Sequence, residues 1–197
     1  MAKRASGPSS EKPGDAASAW PSDTGLRALV ENLPGAVYRC SVGPPARVLR
    51  VSDGVFALTG RPPADWTDGG LTPSDLIHPD DLASVERAVA AAVAECRPYD
   101  IEYRILHADG SIRWAHSSGR ALYDASGRPV YLDGVALDVT ARRRAEQALR
   151  ESEDRYRTAF RIHPDAININ RASDGLYLDA NDGFEQMTGW AREEVIG

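Results

Sequence analysis

Three consecutive strand-like segments joined by tight turns constrain the fold of this chain more than any other feature. Over residues 99–106, apolar side chains alternate with charged ones, as in a strand with one buried face. Asp109-Gly110 is a typical hairpin turn, residues 111–123 supply the partner strand, and a second turn leads to a last strand at residues 129–139. These segments predict an antiparallel sheet with one face to be covered.

An amphipathic helix precedes these strands. In His78-Pro79-Asp80-Asp81, the proline suits a first helical position and the two aspartates face the positive end of the helix dipole. Apolar residues then repeat at helical spacing up to Cys96. Nearer the N-terminus, residues 36–42 and 46–51 are short extended runs separated by a proline-containing turn, and predict a hairpin.

A charged segment without glycine or proline follows the last strand. It predicts a helical linker over residues 141–160, with Thr140 as a good N-cap. Its small, apolar and polar residues at steps of four and three form a weak heptad seam, whose members are Ala145, Leu149, Ser152 and Tyr156. The seam favours a short coiled coil, and we expect a homodimer formed through the preceding domain and this linker helix. The alternative is a single exposed helix packed on its own domain.

The segment after the linker repeats the start of the chain. Residues 33–37 are echoed by residues 163–167, and residues 52–60 are echoed in the same order by residues 181–189. The spacing is one domain plus one linker, which indicates two copies of one module in tandem. Nothing in the second copy matches the long helix or the last three strands, so we expect residues 161–197 to be the first part of a second, incomplete domain.

Composition narrows the class of protein. Residues 1–23 are rich in Ser, Pro, Gly and Ala, which predicts a disordered tail without a signal core. The net charge of -6 argues against a nucleic-acid partner. Cys40 and Cys96 form no Cys-x-x-Cys pair, and no apolar run approaches the ~18 residues of a membrane span. We therefore expect a cytoplasmic fragment with no metal site and no membrane segment.

Several motifs, taken in their order and spacing, identify a family. They are Glu102-Tyr103-Arg104, Asp109-Gly110-Ser111, Arg113-Trp114, Asp124 with Gly127, Gly134, and Asp138-Val139-Thr140. Residues 24–140 resemble a PAS domain with its C-terminal PAC motif, and His78-Pro79-Asp80-Asp81 is typical of the subclass called the third PAS fold. The resemblance implies an α+β fold, in which a five-stranded antiparallel sheet carries helices on one face. The linker helix and a truncated second PAS domain follow it.

The resemblance also implies where a site lies. In this family a ligand pocket, when present, lies between the sheet and the helices, and the signal leaves through the last strand into the following helix. Candidate pocket residues are Phe56, Val89, Val93, Tyr103, Ile105 and Trp114. The alternative is that these residues pack as core. Asp138 and Thr140 match the family's Asp-x-Thr junction, where Thr140 can cap the linker helix and Asp138 can tie strand to helix.

We predict no cofactor and no catalytic residue in this chain. The Asn-Cys-Arg-Phe motif of flavin-type light sensors is absent, and the long helix carries no histidine of the kind that haem-binding members present. No phosphoacceptor-histidine or Gly-Gly-Asp-Glu-Phe motif is present. The predicted function is a sensory module that detects a small ligand or partner state and relays it to an effector in the same parent chain. A histidine kinase of a two-component system is expected. The alternatives are a diguanylate cyclase or phosphodiesterase as effector, or a ligand-free dimerisation module.

Overall fold

The computed structural model describes residues 28, 30–43 and 45–197. Contacts divide the chain into two units, Met1–Thr140 and Ala141–Gly197. The tail predicted to be disordered, residues 1–23, lies outside the described residues. Among the residues described, no helix is both long and apolar enough to cross a membrane.

In the part of the chain that the structure describes, the first unit contains a five-stranded sheet and several helices. Its strands are β1 (Ala36–Ser41), β2 (Val48–Val51), β3 (Tyr99–Leu106), β4 (Ile112–Tyr123) and β5 (Pro129–Asp138). Its helices are α1 (Gly54–Thr59), α2 (Pro63–Thr67), α3 (Pro73–Leu76) and α4 (Pro79–Ala94). The strand order is β2-β1-β5-β4-β3, and all neighbouring pairs are antiparallel. The predicted α+β class with a five-stranded antiparallel sheet is confirmed.

Strand register decides which side chains face the helices. β4 is bonded on both edges, and Ala115 lies opposite Tyr103 on β3 and Asp138 on β5. Because successive side chains of a strand point to opposite faces, Ala115 and Ser117 belong to the inner face, where both are almost fully buried. This inner face and the helices enclose the hydrophobic core.

The N-terminal end of α4 is fixed to β3 by paired charges. The guanidinium of Arg104 donates to Asp81 Oδ1 at 2.6 Å and to Oδ2 at 3.0 Å, and its backbone N–H donates to the same Oδ2 at 2.9 Å. His78 Nδ1 accepts from the Asp80 backbone at 3.3 Å, as expected for a residue at the helix start. These contacts hold the longest covering helix over the sheet.

The second unit contains α5 (Thr140–Ile162, which begins at the last residue of the first unit), β6 (Asn168–Asn170), β7 (Tyr177–Ala180), α6 (Asp182–Thr188) and α7 (Arg192–Val195). β6 and β7 form an antiparallel pair. Asn181 is fully buried and holds the hairpin together: its Oδ1 accepts from the Ile167 and Phe184 backbones, and its Nδ2 donates to the carbonyls of His163 and Asp165. The second unit thus has a hairpin followed by short helices, the same order as at the start of the first unit.

Candidate functional site

A cavity of about 510 Å³ lies between the inner face of the sheet and helices α1–α4. This volume falls within the ~300–1,000 Å³ range of small-molecule sites. The wall is mainly aliphatic, with Val85, Val89 and Val93 from α4 and Leu132 and Ala136 from β5. The first unit therefore contains a space of ligand size at the position where its core would otherwise be continuous.

The structure brings four of the six predicted pocket residues to this cavity. Val89, Val93, Tyr103 and Ile105 all line it. Their placement follows from the helical spacing of α4 and the alternation along β3, the two clearest periodicities in the sequence.

The other two predicted residues lie elsewhere, and those assignments are corrected. Phe56 is 58% exposed, because the short helix α1 turns Val55, Leu58 and Thr59 inward instead. Trp114 is outside the cavity wall, because Ala115 faces inward and adjacent residues of β4 point to opposite faces. A large aromatic residue can lie on either face of a strand. The residue type alone therefore did not show whether the Trp114 side chain points into the cavity or away from it.

A cluster of hydroxyl groups forms the polar part of the wall. Tyr38 Oη lies 2.7 Å from Tyr99 Oη and 2.7 Å from Ser117 Oγ, and all three residues line the cavity. Burial raises the pKa of Tyr38 well above its ordinary value and raises that of Tyr99 to about 12. Burial also raises the pKa of the neighbouring Tyr103. The cluster is therefore a set of neutral hydroxyls that can donate and accept hydrogen bonds.

Two glycines make room for these tyrosines. Gly119 and Gly134 are direct partners in the β4–β5 ladder. A Cβ on Gly119 would lie 2.5 Å from Tyr99 Oη, and one on Gly134 would lie 2.7 Å from Tyr38 Oη. Glycine inside a strand often marks such a close approach. These two glycines were the sequence feature that could have indicated the hydroxyl cluster, which we did not predict from the sequence.

Charge is almost absent from the cavity wall. Among its lining residues, which all belong to the described part of the chain, Glu86 is the only charged side chain, and there is no Lys, Arg or His. The wall thus offers neither an imidazole for a haem iron nor a cation for a flavin phosphate. Cys40 also lines it, but burial raises the pKa of this thiol to about 12, so the thiol stays protonated.

The junction between β5 and α5 is bonded directly to β4. Thr140 Oγ1 accepts from the Trp114 backbone N–H at 2.8 Å, and the Val139 N–H donates to the Trp114 carbonyl at 2.9 Å. Asp138 Oδ1 accepts from the Thr140 N–H at 2.8 Å. The Thr140 hydroxyl is thus engaged by β4, and the Asp138 carboxylate accepts the backbone N–H at the start of the helix.

Arg113 connects this junction to a helix of the cavity wall. Its Nη1 donates to the Ala57 carbonyl in α1 at 2.9 Å and lies 3.4 Å from Asp138 Oδ2. Burial alone would raise the pKa of Asp138, but hydrogen bonds from Thr140 and the charge of Arg113 hold it below its ordinary value. The carboxylate is therefore charged at neutral pH. The sequence indicated Arg113 only as part of a motif and not as this link.

The predicted linker seam is exposed along α5. Leu149 is 61% and Tyr156 62% exposed, and Ala145 and Ser152 are also exposed. The ring of Tyr156 stacks on Phe160 at a centroid distance of 6.0 Å. Two large apolar side chains thus stand uncovered at heptad spacing on a helix rich in charge.

Comparison with known proteins gives two family matches. Residues 48–136 match a family model described as the PAS fold, and residues 154–197 match one described as a PAS domain. The second match falls on the segment in which the sequence repeat was found.

Similar proteins include sensors. A methyl sulfide methyltransferase-associated sensor from Methanosarcina acetivorans is 34% identical over 50% of this chain and 10% of its own length. The sensor protein FixL from Bradyrhizobium diazoefficiens is 26% identical over 61% of this chain and 24% of its own length. A solved PAS domain from Colwellia psychrerythraea has a TM-score of 0.52 at 23% identity, covering 59% of this chain and 97% of that one. The chain thus spans a tenth to a quarter of the length of these curated relatives.

Proposed function

The chain belongs to the PAS family, and on this premise we propose that it is a sensory relay module. It takes up a small molecule in the cavity of the first unit and passes the change to α5 through the Asp138–Thr140 junction. A sensory role in signalling agrees with the relatives named above. The proposal adds the uptake site and the route.

The observation that carries this proposal is that three successive residues of β4 connect cavity and junction. Ala115 lines the cavity. The backbone of Trp114 is bonded to Val139 and Thr140, and Arg113 is bonded to Ala57 and faces Asp138. A shift of β4 or α1 caused by a bound molecule therefore changes the hydrogen bonds at the start of α5. If β4 packs in one position with a bound molecule and in another without it, this difference couples the cavity to the start of α5.

The effector belongs to the parent chain in this proposal. We favour a histidine kinase of a two-component system, because similar proteins include a two-component sensor from Pseudomonas aeruginosa and a blue-light-activated histidine kinase from Brucella ovis. A diguanylate cyclase or phosphodiesterase fed by the same relay is the alternative. This chain itself contributes regulation and no catalytic group.

A second candidate function, dimerisation without a ligand, is favoured by the exposed seam of α5. Leu149 and Tyr156 are one heptad apart and uncovered. A second copy of the same helix, parallel and in register, would bury both pairs. The two functions are compatible, since a dimeric helix pair transmits a shift at its start to both chains.

Native mass spectrometry of the gently purified chain tests uptake. We expect a bound small molecule on the wild type and its loss from Val89→Phe, which fills the cavity from α4. Ala83→Phe is the matched control, because Ala83 is exposed on α4 and lies outside the cavity wall. A bound molecule that survives Val89→Phe places the binding elsewhere. If the wild type carries no bound molecule after purification and still dimerises, the ligand-free dimerisation module is favoured.

A further inference from the structure

We propose that the cavity takes an uncharged, largely apolar molecule that carries a hydrogen-bond-accepting oxygen, which the hydroxyl cluster of Tyr38, Tyr99 and Ser117 receives. This inference rests on the proposed uptake of a small molecule and names its chemical class. It follows from the charge of the wall, from the number of donors in the cluster, and from one buried donor without a partner.

Charge selects against ionic ligands. A carboxylate or phosphate inside this cavity would meet no cationic side chain among the lining residues, and it would lose its hydration. A cation would find one carboxylate, Glu86, which belongs to a residue exposed to solvent. The remaining wall is aliphatic, aromatic or hydroxylic. An uncharged molecule is the class that such a wall accommodates.

The hydroxyl cluster has more donors than internal bonds. Tyr38, Tyr99 and Ser117 carry one O–H proton each, and the two bonds through Tyr38 Oη use two of the three. Ser117 also interacts with the Tyr103 hydroxyl, which adds one proton and one bond and leaves the same excess. One O–H of the cluster therefore remains to donate. Its natural partner is an acceptor oxygen on the bound molecule.

Trp66 adds a second donor in excess. It lines the cavity and is only 7% exposed. Its Nε1 is buried and has no hydrogen-bond partner among the described residues. Buried polar groups without a partner are rare and unfavourable. An acceptor on a molecule that contacts this side chain would supply the missing bond, and the spare O–H of the hydroxyl cluster can donate to an acceptor as well.

Three probes of one shape test the inference on the full chain. They are 2-acetylnaphthalene, which has a carbonyl acceptor, 2-ethylnaphthalene, which lacks it, and 2-naphthoate, which carries a charge. We expect the ketone to bind at least about fivefold more tightly than the hydrocarbon, and 2-naphthoate to bind most weakly. The affinity of each probe is measured by quenching of protein fluorescence and by competition between the probes. Equal affinity for ketone and hydrocarbon, or tighter binding of the carboxylate, overturns the ligand class and leaves uptake intact. Binding of none of the three overturns uptake itself.

Substitutions of the donor side chains test which of them bind the acceptor oxygen of the ketone. We expect Tyr38→Phe combined with Tyr99→Phe to reduce the preference for ketone over hydrocarbon to less than twofold. The affinity for 2-ethylnaphthalene should stay within about twofold of the wild type, which shows that the cavity is still formed. Trp66→Phe is measured in the same way and should reduce the preference by a smaller factor. A preference unchanged in all these variants contradicts recognition by these donors.

Discussion

Thr140 Oγ1 accepts a hydrogen bond from the backbone N–H of Trp114 at 2.8 Å, so the first residue of α5 is held by β4, a strand of the cavity wall. The bond joins two parts of the chain that are 26 residues apart in sequence. The start of the output helix is therefore sensitive to the position of β4.

The glycine pair under the tyrosines predicts the effect of added bulk. In Gly134→Ala, the new Cβ would lie 2.7 Å from Tyr38 Oη and 2.7 Å from the Ser118 carbonyl, so both must move. We expect a loss of about 1–3 kcal/mol in the free energy of unfolding, measured by urea denaturation. Adding Tyr38→Phe should recover part of the loss in a double-mutant cycle. Full additivity of the two changes would show that the hydroxyl does not use the space above Gly134.

The ion pair at the start of α4 predicts a pH dependence. The Arg104 guanidinium bonded to Asp81 lowers the pKa of that carboxyl to about 2, from ~3.9 in an unfolded chain. The folded pKa lies below the unfolded one, so the pair stabilises the fold above about pH 4. This contribution is lost as the pH falls from about 4 to about 2.

The matching experiment compares Asp81→Asn with wild type across pH. At pH 7 we expect the free energy of unfolding to be lower by about 1.5 kcal/mol in the variant, and the difference should vanish by about pH 2. Asp80→Asn is the control, because that side chain is 72% exposed and meets Arg104 in one contact at 3.4 Å. A difference between Asp81→Asn and wild type that stays constant down to pH 2 would contradict the assignment.

The repeated module predicts a stabilising substitution. Ser52 occupies the place of Asn181 and makes fewer bonds: its Oγ accepts from the Val37 N–H at 2.9 Å and approaches the Gly35 carbonyl at 3.5 Å. Ser52→Asn adds an amide that can donate to the carbonyls of the first turn, as Asn181 does. We expect about 1 kcal/mol of added stability in thermal unfolding, and a comparable loss for Asn181→Ser. A destabilised Ser52→Asn would show that the first copy has no room for the amide.

The exposed seam of α5 predicts the oligomeric state. Leu149→Glu with Tyr156→Glu would place like charges across the proposed parallel dimer, so we expect sedimentation to show a Kd for dimerisation that is raised at least about tenfold. The control places glutamates at Gln147 and Thr158, which are exposed and off the seam. If the double variant and its control sediment alike, the seam is not a dimer contact.

Regular periodicity determined how much of this molecule the sequence could predict. The alternation along β3, the apolar stripe of α4 and the heptad steps of α5 are local patterns, and each led to the right element. The cluster of Tyr38, Tyr99 and Ser117 joins three strands, and only the register between strands brings it together. The same limit explains Trp114, whose inward or outward direction depends on register and not on residue type.

The most direct test of the account is whether filling the cavity reaches α5 through Thr140. Hydrogen–deuterium exchange is measured on residues 141–148 for wild type, Val89→Phe, Thr140→Val and the double variant, with Thr140→Ser as the control that keeps the hydroxyl. We predict that Val89→Phe changes exchange in this segment at least about threefold when residue 140 is Thr or Ser, and leaves it unchanged in Thr140→Val. An equal response in all backgrounds, or none in any, would contradict a relay through this bond.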